Sequence, residues 1–245
     1  MLDHVSVENV LFLDIETVPQ YQDFNDVPKS FQDFWEKKSS YFRTEDQSAS
    51  DVYQRAGIYS EYGKIICISV GIIVKKTGER SFRLKSFFGD DEALLLKEFA
   101  EMLKKYQSSN SDVQLCAHNG KEFDFPYIAR RMLVNNIKLP KLLDIAGKKP
   151  WEVMFLDTME LWKFGDYKNY TSLNLLTHLF NIPTPKDDID GSMVADVYWK
   201  EKDLQRIVKY CEKDVLAIAQ LLLRYKGEEL IKQEYVESTT LNKLL

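Results

Sequence analysis

Val10-Leu11-Phe12-Leu13-Asp14-Ile15-Glu16 is an apolar run that ends in two acids spaced two apart. A short run of this kind reads as a buried central strand that delivers its last side chains to the end of a sheet. Side chains alternate along an extended chain, so Asp14 and Glu16 project from the same face and can share one cation cluster.

Working outward from that strand, residues 63–74 and 80–88 read as two more, separated by the polar Lys75-Lys76-Thr77-Gly78-Glu79, and predict an antiparallel hairpin. Gly89-Asp90-Asp91-Glu92 opens an amphipathic helix through Leu94, Leu95, Phe99, Met102 and Leu103, with acids in its first turn and Lys104-Lys105 at its end, as the helix dipole favours. Val113 to Ala117 predicts a fourth strand, followed by a helix through Ile128, Met132 and Leu133 with Asp124 near its first turn. Trp151 to Leu156 predicts a fifth strand, and Ser172 to Phe180 and Leu204 to Tyr225 predict helices, the second with Ile207, Val208, Val215, Ile218 and Leu222 on its apolar faces. The pattern is mixed α/β. Pro19 to Tyr62 is the least regular stretch; it leaves the acidic end of the first strand and reads either as a loop that covers a site or as a surface insertion. The expectation is one domain over 1–245, with a core of about 10–225, an irregular insertion at 19–62 and an extension at 226–245.

At 245 residues and 44% hydrophobic content the chain can bury one sizeable core. Thirty-three Lys plus Arg against 38 Asp plus Glu give a formal charge of −5, which excludes a nonspecific nucleic-acid coater and leaves any nucleic-acid contact local. Cys67, Cys116 and Cys211 are isolated and odd in number, without zinc-site spacing or a complete disulfide framework, so a reducing, cytoplasmic setting fits. The first residues carry no basic segment followed by an apolar run, and no stretch approaches the roughly 18 apolar residues of a membrane span.

Two further carboxylate motifs follow the first: Asn119-x-x-x-Phe123-Asp124 in the middle of the chain and Tyr210-x-x-x-Asp214 near its end. Taken singly, each has an ordinary explanation. Asp-x-Glu can be a solvated strand end, Asn-x-x-x-Phe-Asp a turn with a helix cap, and Tyr-x-x-x-Asp two residues on one helix face. Taken together they fall at a strand end, a helix start and a helix face, with room for a whole fold between them. Four acids from separate elements make sense if they converge on hard divalent cations, which take oxygen ligands and serve phosphodiester hydrolysis.

With these segments in place, the chain resembles a DEDDy-type 3′-to-5′ exonuclease of the ribonuclease H-like superfamily. It is similar to the proofreading domain of family B DNA polymerases, and especially to stand-alone bacterial proteins predicted to be exonucleases related to that domain. The resemblance runs from about Val10 to Tyr225 and includes Leu13-Asp14-Ile15-Glu16-Thr17, Ala117-His118-Asn119-Gly120-Lys121-Glu122-Phe123-Asp124 and Tyr210-Cys211-Glu212-Lys213-Asp214-Val215. The connecting segments Leu156-Asp157-Thr158, Ser172-Leu173-Asn174-Leu175-Leu176 and Asp190-Gly191-Ser192 are also family-like. No polymerase region accompanies them, which implies a free enzyme or a subunit.

The resemblance implies a ribonuclease H-like mixed sheet of five strands, in the order 3-2-1-4-5, flanked by helices. It implies that Asp14, Glu16, Asp124 and Asp214 hold two divalent cations, Mg²⁺ or Mn²⁺, while the Tyr210 hydroxyl orients the attacking water. A phenol with a pKa near 10 is a poor base at neutral pH, so positioning suits it better. Thr17, Asn119 and Phe123 adjoin the acids and are candidate contacts to the terminal nucleotide; Phe123 can stack on a base or anchor its helix. Asp157 reads as a helix cap or a support for the site, and His118 and His178 read as structural. Lys121, Lys148, Lys149, Lys163 and Lys168 read as solvated loop lysines that can meet phosphates. The implied substrate is nucleic acid with a free 3′ end, single-stranded DNA favoured over RNA, with a replication or repair partner possible and no membrane. Two other readings compete. A noncatalytic binding module with this fold has no need of four mutually repelling acids. A phosphatase with Asp14 as nucleophile resembles Asp-x-Asp-x-Thr, and the third position here is Glu16.

Overall fold

Strand β1, Val10–Pro19, is central, and its two faces pack against different helices. The computed structural model describes residues 2–76, 78–166, 170–183 and 189–240. β2 (Gly63–Lys76) runs antiparallel to β1, and β3 (Glu79–Phe88) antiparallel to β2, which is the expected hairpin. β4 (Gln114–Ala117) and β5 (Leu156–Asp157) lie on the other side, β4 parallel to β1 and β5 parallel to β4. The expected order 3-2-1-4-5 is present within a larger sheet.

Three expectations need correction. The sheet has six strands, because β6 (Val236–Ser238) adds parallel to β3 from within the 226–245 extension. The free edge of β3 takes up hydrogen bonds there: Thr239 N donates to Leu84 O at 2.9 Å, and Ser86 N donates to Thr240 Oγ1 at 2.7 Å. Trp151 to Leu156 is not a strand. Pro150–Glu152 forms a 3-10 turn, Trp151 and Met154 are exposed, and only Leu156–Asp157 pair with β4. Pro19 to Tyr62 is not irregular throughout, since it contains helix α1, Lys29–Ser39. Trp35 of that helix is fully buried among Phe42, Tyr53, Tyr59 and Tyr62, and its indole Nε1 donates to Ala49 O at 2.9 Å.

On one face of β1, Leu11, Leu13 and Ile15 join a core with Leu96, Phe99 and Leu103 of α2 (Glu92–Ser109) and Ile128 and Met132 of α3 (Asp124–Val134). Leu133 of α3, expected on the apolar face, is exposed. Three short helices follow: α4 (Thr158–Lys163), α5 (Leu173–Leu179) and α6 (Val194–Asp196), the last running into a π turn over Val197–Glu201. On the opposite face of the sheet, Val10 and Phe12 pack against Val215, Ile218, Ala219 and Leu222 of the long helix α7, Leu204–Lys226. Asp203 caps the start of α7 by accepting from Arg206 N at 3.0 Å. Its end closes on Gly227, whose φ of 73° lets the chain turn into the left-handed cap.

A buried ion pair fastens α2 to α3. Arg131 donates to Glu92 through Nη2 at 2.6 Å and Nε at 2.9 Å, and both side chains are almost wholly buried. Glu92 also accepts from Ile65 N of β2 at 2.7 Å, and Arg131 Nη1 donates to Ser60 O at 3.0 Å. Removing one member leaves the other charge buried and unpaired, which is far costlier than losing a surface pair. Glu92→Ala is therefore expected to lower unfolding free energy by about 3–5 kcal/mol in urea denaturation; a loss below 1 kcal/mol, about the size of a surface pair's effect, would show that the network does not hold the helices.

Candidate active site

Asp14 and Glu16 continue the face of β1 that begins with Val10 and Phe12, so the alternation that buries Leu11, Leu13 and Ile15 on one side turns both acids toward α7 on the other. Glu16 faces Cys67 across the ladder, and Thr17 faces Ile65. Ile66 is thus an extra residue in β2, and this bulge sharpens the strand's bend where the acids emerge.

α7 supplies the facing groups. Cys211 Sγ lies 3.5 Å from Asp14 Oδ2 and 3.5 Å from Asp14 O. One turn apart on the helix, the Tyr210 hydroxyl donates a hydrogen bond to the Asp214 carboxylate. Asp124 opens α3 and is buried, its carboxylate accepting backbone hydrogen bonds from Ile15 and from its own amide.

The approach to Asp124 is tightly built. Asn119 takes a left-handed conformation with φ of 62°, which Asn tolerates better than most residues, and its carbonyl accepts from Phe123 N at 3.0 Å. At Gly120 a Cβ would stand 2.4 Å from Ala117 Cβ, so the turn admits glycine alone. Buried Asp157, the last residue of β5, binds the loop from beneath: it accepts from Asn119 N at 3.0 Å and Lys121 N at 3.1 Å. The same carboxylate caps α4 through Met159 N at 3.0 Å and Glu160 N at 3.3 Å. Cap and support are thus one residue's work.

Electrostatics ties the acids into one group. Burial, and then the charges of Asp124, Glu16 and Asp214, push the Asp14 carboxyl well above the ordinary carboxylate range. Burial, Asp214, Cys67 and Asp124 do the same to Glu16. Asp124 is pushed up to about 7, chiefly by burial, with its backbone hydrogen bonds opposing the rise. Burial and the nearby charges of Asp214, Glu16 and Asp14 also raise Tyr210, so its phenol stays protonated. The sulfur of Cys211 and carboxylate oxygens of Asp14 and Glu16 lie within 4.8 Å of one another. Asp124 and Asp214 approach the same pair of acids without entering that tighter group. The donor set suits hard divalent cations, whose charge would offset the mutual repulsion of the carboxylates. Asn119 adds a buried Oδ1 with no hydrogen-bond partner among the described residues.

Asp14, Glu16, Asn119 and Asp124 line a cleft of about 740 Å³. Thr17, Asn119 and Phe123 all border it. The Thr17 hydroxyl donates to Tyr127, and Phe123 rests on the Tyr127 ring at 5.4 Å while packing partly into the core. Phe123 is thus anchored against the core and borders the cleft. His118 bridges Thr158 Oγ1 and Thr171 O at 2.9 Å each and also borders the cleft, whereas His178 is exposed in the last turn of α5. Lys121 pairs with Glu160 at 2.6 Å, and Lys149 lies over the Trp151 ring at 5.2 Å. Neither these two nor Lys148 and Lys163 border the cleft, and Lys168 lies outside the described residues. The sequence reading passed over Cys211, Tyr170, and the Gln54, Arg55 and Ile58 edge of the segment after β1, all of which reach the site. For Cys211 a signal existed: it shares the buried stripe of α7 with Ile207 and Val215.

The raised carboxyl pKa values make the cation-free protein sensitive to pH. Above about pH 4 the unfolded chain releases protons that the folded site retains, so this contribution to stability falls as pH rises through the carboxyls' elevated folded-state values. Asp14→Asn removes one such charge. In EDTA it should melt above the wild type at pH 8 and equal it near pH 4, and divalent cation should raise the wild-type melting temperature more at pH 8 than at pH 5. Equal melting curves at pH 8 would show that the acids do not strain the fold.

Comparison with known proteins bears on the fold and the family of the chain. One solved structure, a family B DNA polymerase from the hyperthermophilic archaeon Pyrobaculum calidifontis, superposes with a TM-score of 0.53 at 17% identity. The match covers 88% of this chain and 24% of the polymerase, so the present chain spans about a quarter of that protein and the likeness is one of fold. A family model described as a predicted 3′-5′ exonuclease related to the exonuclease domain of PolB matches residues 58–244, which include Asp124, Tyr210 and Asp214 and begin after Asp14 and Glu16. Matched over well more than half its length, the chain belongs to this family of predicted exonucleases related to the exonuclease domain of PolB.

Proposed function

We propose that the protein is a metal-dependent 3′-5′ exonuclease that releases nucleotides from the free 3′ end of nucleic acid, with single-stranded DNA as the preferred substrate. The observation that carries this reading is the mutual proximity of four acids, with Asp14, Glu16 and Asp124 lining one cleft, Asp214 near enough to raise Asp14 and Glu16, and Tyr210 hydrogen-bonded to Asp214. Residues 1–245 act as a single exonuclease domain in this reading, with the aromatic segment after β1 forming part of the cleft wall.

The four carboxylates would hold two divalent cations, Mg²⁺ or Mn²⁺, which when bound activate water and neutralise charge on the scissile phosphate. Asp14 and Glu16 present their oxygens from a strand fixed in the sheet, and Asp124 from a helix start fixed by Asp157 and the Gly120 turn. Tyr210 stays protonated and cannot serve as a base. Its single O–H is donated to Asp214, which leaves its oxygen to accept from the attacking water, and we assign it the orientation of that water. Thr17, Asn119 and Phe123 flank the place for the terminal nucleotide, Phe123 offering a ring face that accepts any base.

Incubation with 5′-labelled single-stranded DNA and RNA of one sequence tests the reading directly, with Mg²⁺, Mn²⁺ or EDTA. Shortening of the labelled strand one nucleotide at a time from its 3′ end, abolished by EDTA and faster on DNA, is the expected result. Retention of the strand without shortening in either metal would replace the enzyme with a binding module.

Variants separate the roles. Asp14→Ala and Asp214→Ala should leave little activity at any metal concentration. Tyr210→Phe deletes one hydroxyl and should slow single turnover roughly 10- to 1000-fold, the usual worth of one such contact, with metal affinity barely changed. Full activity in Tyr210→Phe would reduce the tyrosine to packing, and loss of metal binding there would make it part of the cation site.

A further inference from the structure

A cleft bordered by acids must admit a polyanion, and bound cations act only at the scissile phosphate. The next phosphates along the strand need a partner from the protein. Among the described residues bordering the cleft, Arg55 is the one Lys or Arg. It belongs to the segment between β1 and β2, on a 3-10 helix of Tyr53–Ile58.

That helix is held as firmly as the catalytic elements. Tyr53 packs edge-on against Trp35 at 5.9 Å, and Ala56 is fully buried. Gly57 lies directly on β1, where a Cβ would come within 3.1 Å of the Val18 carbonyl carbon. The Gly57 carbonyl accepts from the Tyr127 hydroxyl of α3 at 2.8 Å, and Tyr127 in turn receives the Thr17 hydroxyl. The Arg55 carrier is thereby pinned both to the strand of Asp14 and Glu16 and to the helix of Asp124. The exposed guanidinium of Arg55 lies over the Phe42 ring, 4.3 Å from its centroid. The ring restrains the guanidinium while the residue stays exposed, and a guanidinium held in place can offer paired N–H groups to phosphate oxygens. Ile58, half exposed on the same 3-10 helix, gives the cleft an apolar edge beside it.

We propose that Arg55 is a substrate-positioning residue, mounted by the aromatic segment at 20–62, that binds a backbone phosphate of the nucleic-acid strand upstream of the nucleotide being released. The proposal rests on the exonuclease reading and assigns to this segment the work of holding the strand in register with the carboxylates. Arg55 touches no reacting atom in this role, so its loss acts on binding of the strand.

The test compares wild type, Arg55→Ala and Arg55→Lys on one single-stranded oligonucleotide. Cleavage with Mg²⁺ gives KM and kcat; fluorescence anisotropy with Ca²⁺ gives Kd over a range of salt; thermal melting checks the fold. Arg55→Ala should raise KM and Kd roughly tenfold, with kcat changed much less, and should flatten the plot of log Kd against log salt by about 0.7, the value of one phosphate contact on a single strand. Arg55→Lys keeps the charge without the stacked plane and should fall between the two, and it carries the comparison if Arg55→Ala melts early. Wild-type KM and salt slope in Arg55→Ala overturn the proposal while leaving the exonuclease reading standing, and so does a loss confined to kcat. A wild-type protein that neither binds nor shortens the strand fails the exonuclease reading itself.

Discussion

The alternation of side chains along β1 is the constraint on which the site depends. Leu11, Leu13 and Ile15 are committed to the core formed with α2 and α3, so the residues between them have only the α7 side to occupy. Val10 and Phe12 fill that side with apolar contact. Asp14 and Glu16 interrupt that apolar row, which Val18 resumes in a cluster with Ile66 and Ile207. A slip of one residue in register would exchange the two faces, sending the acids into the α2–α3 core and the isoleucine into the cleft. The two antiparallel and parallel neighbours of β1 thus fix the chemistry as well as the sheet.

The acids that β1 places are held against their own repulsion, and the surrounding structure shows how. Burial and neighbouring carboxylates raise Asp14, Glu16 and Asp124 together, so the cation-free site favours protons over charge. Such a site persists because its supports are satisfied elsewhere. Asp157 takes up four backbone amides and joins the Asn119 loop to α4, while Glu92 and Arg131 join α2, α3, β2 and the chain near Ser60. These two buried polar centres hold α3 near its two ends, Asp157 through the loop before Asp124 and Arg131 in the last turn. Their hydrogen bonds compensate for placing acids where water alone would not keep them charged.

Much of this was legible in the sequence because it is local. The apolar run before Asp14 specifies a buried strand, the polar segment 75–79 specifies a hairpin, and the stripe from Ile207 to Leu222 specifies a long helix with Tyr210 and Asp214 a turn apart. What escaped was nonlocal. Trp35 gathers Phe42, Tyr53, Tyr59 and Tyr62 from positions without any period, so the segment after β1 looked irregular although it has a buried centre of its own. Trp151 and Met154 suggested a strand by their apolarity, yet both face outward, while Phe155 is buried against Phe125 at 4.2 Å and Val153 packs partly on the same core. β6 is three residues long and owes its form to the open edge of β3, which no composition reveals.

The neutral groups around the acids complete the electrostatic design. Burial raises the Tyr210 phenol and the Cys211 thiol, so each stays protonated beside the carboxylates; burial also lowers His118, whose two ring nitrogens are both held in hydrogen bonds. None of these three adds a charge of its own near neutral pH. The charge of the inner cleft is then set by what occupies the carboxylates, protons or cations. With protons on them, a phosphate finds no counter-charge. Two divalent cations would cancel the charge of the four acids and offer a phosphate their open coordination positions, in a protein whose formal charge is −5. In the metal-dependent reading, substrate affinity is coupled to cation occupancy, because the four side chains offer a phosphate nothing when protonated, repel it when ionised and bare, and bind it through the cations when filled.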